Sequence, residues 1–295
     1  MQHKKILIIA DIEGSSGCFD YGAASFMGKG WPKACREMSL DINAVVTALF
    51  HARVENVYVK DFHRTGHNLF PRMIDSRATL IQGYAKGPVP GIGNPTDATG
   101  LIMVGMHAPS GAEGFLPHTL TSRISSLIVN GRPMSEAQLF SASLAPFGIA
   151  PLFFSGCPEA CDHVGATIKG ISCFAIDKFS RERPFDAVSW REKLATMAVM
   201  AIEKTNARTH NPPGPFHAVV TMREGKKTAR KIAVQWNFTQ KGADLHLDAK
   251  NLQELYGMLI NLAYLTRFTQ KILPLGLPLY NRMGKLGRLW AETHS

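Results

Sequence analysis

The chain has 295 residues, which allows one large or two ordinary domains, and its 45% hydrophobic and 19% charged residues are typical of a globular protein. Its formal charge of +10 indicates a basic surface, but no basic cluster is interleaved with aromatic residues, so we expect no nucleic-acid partner. Five widely spaced cysteines disfavour a disulfide framework and predict a reducing compartment, the cytoplasm. The first residues do not resemble a signal peptide, and no apolar run is long enough to span a membrane.

The first predicted element is a strand. Residues 6–10 (ILIIA) form an unbroken apolar run, which indicates a strand covered on both faces, as in a parallel sheet under helices. Asp11 and Glu13 follow at once, and because side chains alternate along an extended chain, both point to the same side. Ligands bind outside the carboxyl ends of such strands, so this strand delivers two carboxylates to the expected binding site.

Later strands also end in polar side chains. The predicted strand 57–63 ends in Asp61 and His63, and the predicted strand 101–107 ends in His107. The loop that follows is rich in glycine and proline and carries His118, Asn130-Gly131 forms a tight turn, and Glu136 lies in the first turn of a helix over 135–144. Further strands are predicted over 79–83, 125–129, 150–154 and 172–176, and further helices over 38–52 and 190–204.

The proline-rich stretch 211–215 is the best candidate for a boundary. The predicted class is α/β, a mostly parallel sheet covered by helices with a C-terminal β-rich subdomain. We expect short strands over 216–222, 231–238 and 244–248, with the basic residues 226–231 at the rim of a hairpin. The predicted division is an α/β metal-binding catalytic domain over 1–211, a β-rich subdomain with a closing helix over 216–268, and a basic amphipathic tail over 269–295.

The polar strand ends predict a metal site, because the carboxyl ends of parallel strands meet at one rim. Two imidazoles and three carboxylates suit zinc or a similar divalent ion, and they exceed what one tetrahedral zinc needs. The negative charges of three carboxylates and one further anion balance the positive charge of two divalent ions. We expect Asp11 to bridge the two ions because it lies nearest the strand end. The alternative is that the carboxylates cap helices or pair with Arg64 and Arg132.

Five short segments carry these residues: 11–17 (DIEGSSG), 61–63 (DFH), 105–108 (GMHA), 117–119 (PHT) and 130–136 (NGRPMSE). In order and spacing they resemble the motifs of the D-aminopeptidase family of zinc peptidases (the DppA-like, M55 peptidases), and the resemblance runs from about residue 4 to about residue 266. It implies a two-zinc aminopeptidase that acts on short peptides with an N-terminal D-residue such as D-alanine. It also implies a homo-oligomer, a decamer of stacked rings with the sites inside a channel.

The resemblance implies a role for six residues. His118 is the implied catalytic residue, and the implied metal ligands are Asp11, Glu13, His63, His107 and Glu136. From the residues themselves, we expect Asp61 to hold a neighbouring ligand in place and Asn130 or Arg132 to bind the termini of the substrate.

The chain departs from the family pattern in two places. Residues 155–157 (SGC) replace an Asp-containing turn, and the family lysine expected near 176–178 is either shifted to Lys178 or lost to Ile176. These departures concern substrate preference more than metal binding. Cys157 and Cys161 have C-x₃-C spacing without a second pair, which predicts a loop and helix start rather than a redox or metal motif.

Two other functions fit the same residues: a metal-dependent hydrolase of another amide or ester, and a peptide-binding protein without turnover. The tail 269–295 lies outside the resemblance and mixes leucines with lysine and arginine. We expect it to pack on a neighbouring subunit, with docking on an anionic membrane surface as the alternative.

Overall fold

The computed structural model describes residues 3–85, 87–179, 185–203, 207–264 and 266–295. The strands are β1 (Lys5–Ala10), β2 (Asn56–Asp61), β3 (Thr79–Ile81), β4 (Gly100–Met106), β5 (Ile124–Val129), β6 (Arg132–Pro133), β7 (Ala150–Gly156), β8 (Ser172–Ala175), β9 (Phe216–Met222), β10 (Thr239–Lys241) and β11 (Asp244–Ala249). The helices are α1 (Tyr21–Ala24), α2 (Trp31–His51), α3 (Glu136–Leu144), α4 (Pro158–Thr167), α5 (Ala187–Glu203), α6 (Lys226–Trp236), α7 (Leu252–Tyr264) and α8 (Arg267–Thr293), and 3₁₀ turns cover Pro71–Met73 and Ala145–Phe147.

A parallel sheet carries the strand ends that the sequence singled out. Within the described ranges it has six strands in the order β3-β2-β1-β4-β7-β8, and each strand runs parallel to its neighbours. Helices α2 and α5 pack on each other, while α3 and α4 pack on β7. The predicted class, a mostly parallel sheet covered by helices, is confirmed.

The first strand lies in the middle of this sheet. Ile6 to Ala10 are fully buried, as the unbroken apolar run predicts for a strand covered on both faces. In register, Ala10 is opposite Asp61 of β2 and Val104 of β4. The carboxyl ends of these three strands therefore meet at one rim.

The second sheet is antiparallel. In the part of the chain that the structure describes, its strand order is β10-β11-β9-β5-β6. Strands β5 and β6 come from residues 124–133, so this sheet joins the N-terminal part of the chain to the residues after 216. The division at residue 211 stays a prediction.

One predicted strand is wrong. Residues 231–238 belong mostly to helix α6, in which Ala229, Ile232 and Ala233 are buried at helical spacing and Val234 is 77% exposed. A short apolar run fits both the two-residue period of a strand and the 3.6-residue period of a helix. These residues form a helix because helical spacing places the buried side chains on a single face. The basic residues at 226, 227, 230 and 231 accordingly lie on the exposed side of a helix, not at the rim of a hairpin.

The tail forms one long helix, α8. Its C-terminal part packs on the rest of the chain: Trp290 stacks on Trp31 with ring centroids 6.4 Å apart, and Gly287 lies against Phe26. Its N-terminal part is largely exposed, with Leu275 at 81%. No helix within the described residues is long and apolar enough to cross a membrane.

Candidate metal centre

Asp11 stands between two histidines. It directly follows β1, where its backbone N–H donates to Val104 O at 2.9 Å. Its Oδ1 lies 3.0 Å from His63 Nδ1, and its Oδ2 lies 3.4 Å from His107 Nε2. The two oxygens of one carboxylate thus face different imidazoles, which is the arrangement that a bridging ligand requires.

The neighbouring strand must come very close for this to happen. Gly105 in β4 has a φ of +80°, and a Cβ there would lie 2.1 Å from the backbone oxygen of Asp11. Only glycine fits such an approach at a left-handed φ. Gly105 therefore allows β4, and His107 that follows it, to lie against the end of β1.

The first ligand cluster is Asp11, Glu13 and His63. Glu13 Oε2 lies 3.2 Å from His63 Nδ1, on the same side as Asp11 Oδ1. His63 Nε2 lies 2.7 Å from Ala24 O, and since a carbonyl only accepts hydrogen bonds, Nε2 carries the proton that it donates. Nδ1 is then the atom left to face the carboxylates, so the backbone of Ala24 sets the histidine for metal binding.

The second cluster is His107 and Glu136, with His118, the implied catalytic residue, beside them. Glu136 Oε1 lies 3.5 Å from His107 Nε2 and accepts a hydrogen bond from the backbone N–H of Leu120 at 2.6 Å. His107 Nδ1 lies 3.1 Å from Ala108 O, which leaves Nε2 directed at the carboxylates. Glu136 begins α3, where Ser135 and Gln138 form a capping box that fixes the helix start.

These residues fit a pair of divalent ions. Within the described residues, two groups bring three possible ligand atoms within 4.8 Å of one another: Asp11 with Glu13 and His63, and His107 with His118 and Glu136. His107 Nε2 and Glu13 Oε2 are buried and lack a well-formed hydrogen bond; each has only an opposite charge nearby, Asp11 Oδ2 at 3.4 Å and His63 Nδ1 at 3.2 Å. A bound cation would satisfy both atoms. Imidazole nitrogen and carboxylate oxygen are donors that zinc accepts.

The carboxylates keep both histidines charged as long as no metal ion is bound. Burial opposes the charge on His63, but Glu13 and Asp11 outweigh it and raise the pKa of His63 to about 10. Burial likewise opposes the charge on His107, and Glu136 with Asp11 raises its pKa well above the ordinary value. The carboxylates therefore favour the protonated form of both histidines in the metal-free protein.

Metal binding should therefore release protons. A ligand nitrogen must give up its proton, so we expect zinc added to the metal-free protein at pH 7 to release about two protons per chain. Apparent affinity should then rise up to about 100-fold per pH unit near neutrality. Calorimetric titration in two buffers of different protonation enthalpy measures the number of protons released, and binding heats that do not depend on the buffer would contradict the expectation.

In the metal-free protein, the raised pKa of His63 stabilises the fold fully below about pH 6.5, and this stabilisation is lost as the pH rises through about 10.

His118 lies at the open side of the centre. Its side chain is 21% exposed, whereas those of Glu13 and His63 are 5% exposed. Its Nδ1 lies 2.9 Å from Leu116 O, so Nδ1 carries the donated proton, and Nε2 is 4.0 Å from Glu13 Oε1. The His107 and His118 rings stack with centroids 3.7 Å apart. Burial lowers the pKa of His118 and the charge on His107 lowers it further.

The other predicted residues have different surroundings. Within the described residues, Asp61 accepts hydrogen bonds from the backbone of Asn68 and Leu69, and Asn68 Nδ2 donates to His63 O at 2.6 Å. Asp61 thus holds the loop after His63, and a role in holding a metal ligand stays a prediction. Arg64 donates from Nε to Ala24 O and makes no ion pair with the carboxylates.

The Asn130 side chain is engaged in the second sheet. It donates to Pro215 O at 3.1 Å and accepts from the backbone N–H of His217 at 2.8 Å. Arg132 is exposed in β6. The structure does not bring either residue into the two clusters, and substrate binding by them stays a prediction.

Lys178, one of the two positions considered for the family lysine, lies beside the site. Its ammonium group is buried under the loop after Glu13, where it donates to Cys18 O at 2.7 Å and to Ser15 O. Burial lowers its pKa to about 8. Ile176, the other position considered for the family lysine, is fully buried. Cys157 precedes α4 and Cys161 lies in it, which agrees with the predicted loop and helix start.

Comparison with known proteins gives the family. Residues 4–260 match the model of the D-aminopeptidase family, peptidase M55. The chain belongs to this family. It is a metallo-aminopeptidase, a hydrolase of peptide bonds, and the resemblance of the five motifs is confirmed. Comparison with curated proteins by sequence gives no match.

A solved structure has the same fold. The Zn-dependent D-aminopeptidase DppA from Bacillus subtilis, a self-compartmentalizing protease, superposes with a TM-score of 0.79 at 19% sequence identity. The match covers 88% of this chain and 97% of that one. Helix α8 begins after residue 260, so it lies beyond the family match of this M55 peptidase.

Proposed function

We propose that this M55 peptidase is a two-zinc enzyme that hydrolyses short peptides with an N-terminal D-residue such as D-alanine. The observation that carries the proposal is the position of Asp11, whose two carboxylate oxygens face the two histidines of separate clusters. In this arrangement Asp11 would bridge the ions, Glu13 and His63 would hold one, and His107 and Glu136 would hold the other. The zinc requirement of DppA, which has the same fold, supports the choice of metal.

Bound zinc would polarise the scissile carbonyl group and lower the pKa of a water molecule toward neutrality. The chain's own residues supply the orientation and the proton transfer. His63 and His107 each donate one ring N–H to a backbone oxygen, which fixes the ring and directs the other nitrogen to the metal. Glu13 and Asp11 would be occupied as metal ligands, so neither would serve as the general acid.

The proton transfer falls to His118. Leu116 O holds the proton on Nδ1, and burial lowers the pKa of His118 and so favours the neutral ring, in which Nε2 carries no proton. Nε2 can therefore accept a proton from the attacking water and pass it to the leaving amine. Its partial exposure at the open side of the cluster lets a substrate reach it, which the buried ligand histidines do not allow.

Two measurements on one preparation test the proposal. Elemental analysis of undialysed protein should find two divalent ions per chain, and D-alanyl dipeptides should be cleaved faster than their L-alanyl counterparts. Fewer than one ion per chain would overturn the two-metal site. Faster cleavage of L-peptides would overturn the D-preference, cleavage only of other amides or esters would indicate the alternative hydrolase, and peptide binding without turnover would indicate a binding protein.

We also propose a homo-oligomer in the cytoplasm, as a decamer of stacked rings. The self-compartmentalizing assembly described for DppA supports an oligomer, and the widely spaced cysteines support the compartment. The exposed apolar side chains in the N-terminal part of α8 are then covered by a neighbouring subunit, with an anionic membrane surface as the alternative. Light scattering that gives the mass of a single chain would contradict the assembly.

A further inference from the structure

The middle of α8 packs against the loop that carries His63. Tyr280 Oη donates to Arg64 O at 3.2 Å. The Asn281 side chain pairs with the backbone of Tyr84, because Tyr84 N–H donates to Asn281 Oδ1 at 2.9 Å and Asn281 Nδ2 donates to Tyr84 O at 3.0 Å. Helix α8, which lies beyond the family match, is therefore hydrogen-bonded at two points to segments beside His63, a proposed metal ligand.

Tyr84 extends this contact to the other side of His63. Its Oη donates to Phe62 O at 2.5 Å, and its ring meets the Phe62 ring edge-on with centroids 5.9 Å apart. The Tyr84 ring also stacks with Tyr280 at 6.3 Å. The carbonyl groups of Phe62 and Arg64, which flank His63 in sequence, are thus both held by tyrosines of one cluster.

The helix comes close enough to act on this loop because it has a glycine at the contact. A Cβ on Gly284 would lie 2.8 Å from Thr65 Cβ and 2.8 Å from His67 Cδ2. The loop itself needs support, since Arg64 has a φ of +47°, a left-handed conformation that costs a non-glycine residue free energy. Such a conformation persists only where the surrounding structure holds it.

We propose that Tyr280, Asn281 and Gly284 are positioning residues that hold the His63 loop, so that His63 Nδ1 stays directed at Asp11 and Glu13. The first metal cluster then depends on α8, whereas the second cluster, on β4 and α3, does not. The metal part of this proposal rests on the proposed function. The support of the loop can be measured without any metal.

The first test uses the metal-free protein. We expect Asn281→Ala to increase hydrogen exchange about five- to tenfold at the amides of Gly66 and Gly83, because these donate to His63 O and Gly66 O within the supported loop. Tyr280→Phe, which removes only the hydroxyl group, should give a smaller increase at the same amides. Lys271→Ala, at an exposed polar position of the same helix, is the matched control and should change neither amide. Unchanged exchange in both Asn281→Ala and Tyr280→Phe would overturn the proposal.

The second test measures metal affinity by competition with a chromophoric zinc chelator. In Asn281→Ala, we expect one of the two ions to bind about 10- to 100-fold more weakly, the range seen when the support of a ligand is lost, with the other ion unchanged. Equal weakening of both ions would indicate general destabilisation and overturn a specific role. If the unmodified protein binds no zinc, the proposed function fails, and the exchange result alone decides whether α8 supports the loop.

Discussion

In the Asp11→Asn variant, we expect this peptidase to lose both metal ions and kcat/KM to fall by more than about 100-fold. Loss of a residue that only holds a ligand in place lowers activity by up to about 100-fold, and loss of a bridging ligand should have a larger effect. Asparagine keeps the volume of the side chain but offers one neutral oxygen where Asp11 presents two charged ones, to His63 and to His107. The loss should therefore affect both clusters at once. Elemental analysis and peptide hydrolysis on the same sample measure it.

Glu13→Gln is the matched control for this prediction. Glu13 approaches His63 at 3.2 Å and belongs to the first cluster alone. We therefore expect that variant to lose one ion and to keep the other. If Asp11→Asn keeps one ion tightly bound, or if both variants lose the same number of ions, Asp11 does not bridge.

His118→Ala should lower kcat by about 10²- to 10⁴-fold, the range for loss of a general acid or base, while both ions stay bound. The pH profile gives a sharper readout. Burial lowers the pKa of His118, so the unprotonated form that accepts a proton prevails above that lowered value. In the unmodified enzyme, kcat should decline at acidic pH because His118 becomes protonated. This decline should be absent in the His118→Ala variant.

His217→Ala serves as the control for His118→Ala. His217 is an exposed histidine on β9, 2.8 Å from Asp248, and takes no part in either cluster. It should keep full activity and the same pH profile. Undiminished peptidase activity in His118→Ala, or loss of zinc with it, would show that His118 is not the proton-transfer residue.

The centre of the site could be predicted from the sequence because it depends on local rules. An apolar run followed by Asp11 predicts a buried strand with a polar carboxyl end. The carboxyl ends of parallel strands meet at one rim of the sheet, independently of the conformation of the loops. This rule predicts that His63 and His107 lie at the same rim as Asp11, and the structure places them there. His118 lies on a loop without periodicity, and only the resemblance to the family indicated it.

The supports of the site were not predictable, because they come from contacts between residues far apart in the chain. Lys178 reaches Ser15 across 163 positions, and Tyr280 reaches Arg64 across 216. Asp61 ends a strand as the ligands do, but its oxygens accept hydrogen bonds from loop amides, a choice that strand position does not reveal. Helix α6 was mistaken for a strand because its apolar run is short, and the packing of α8 depends on small residues that carry no hydrophobic signal.

The order in which the chain is made gives the α8 contact a consequence for biosynthesis. Tyr280 follows Arg64 by 216 residues. At ribosomal rates of about 5 to 20 residues per second, roughly 10 to 40 seconds separate the synthesis of the His63 loop from that of the helix that holds it. During that interval a nascent chain can already carry all six proposed site residues while the His63 loop is unsupported. On our proposal for α8, the support of the His63 loop is thus acquired only late in translation.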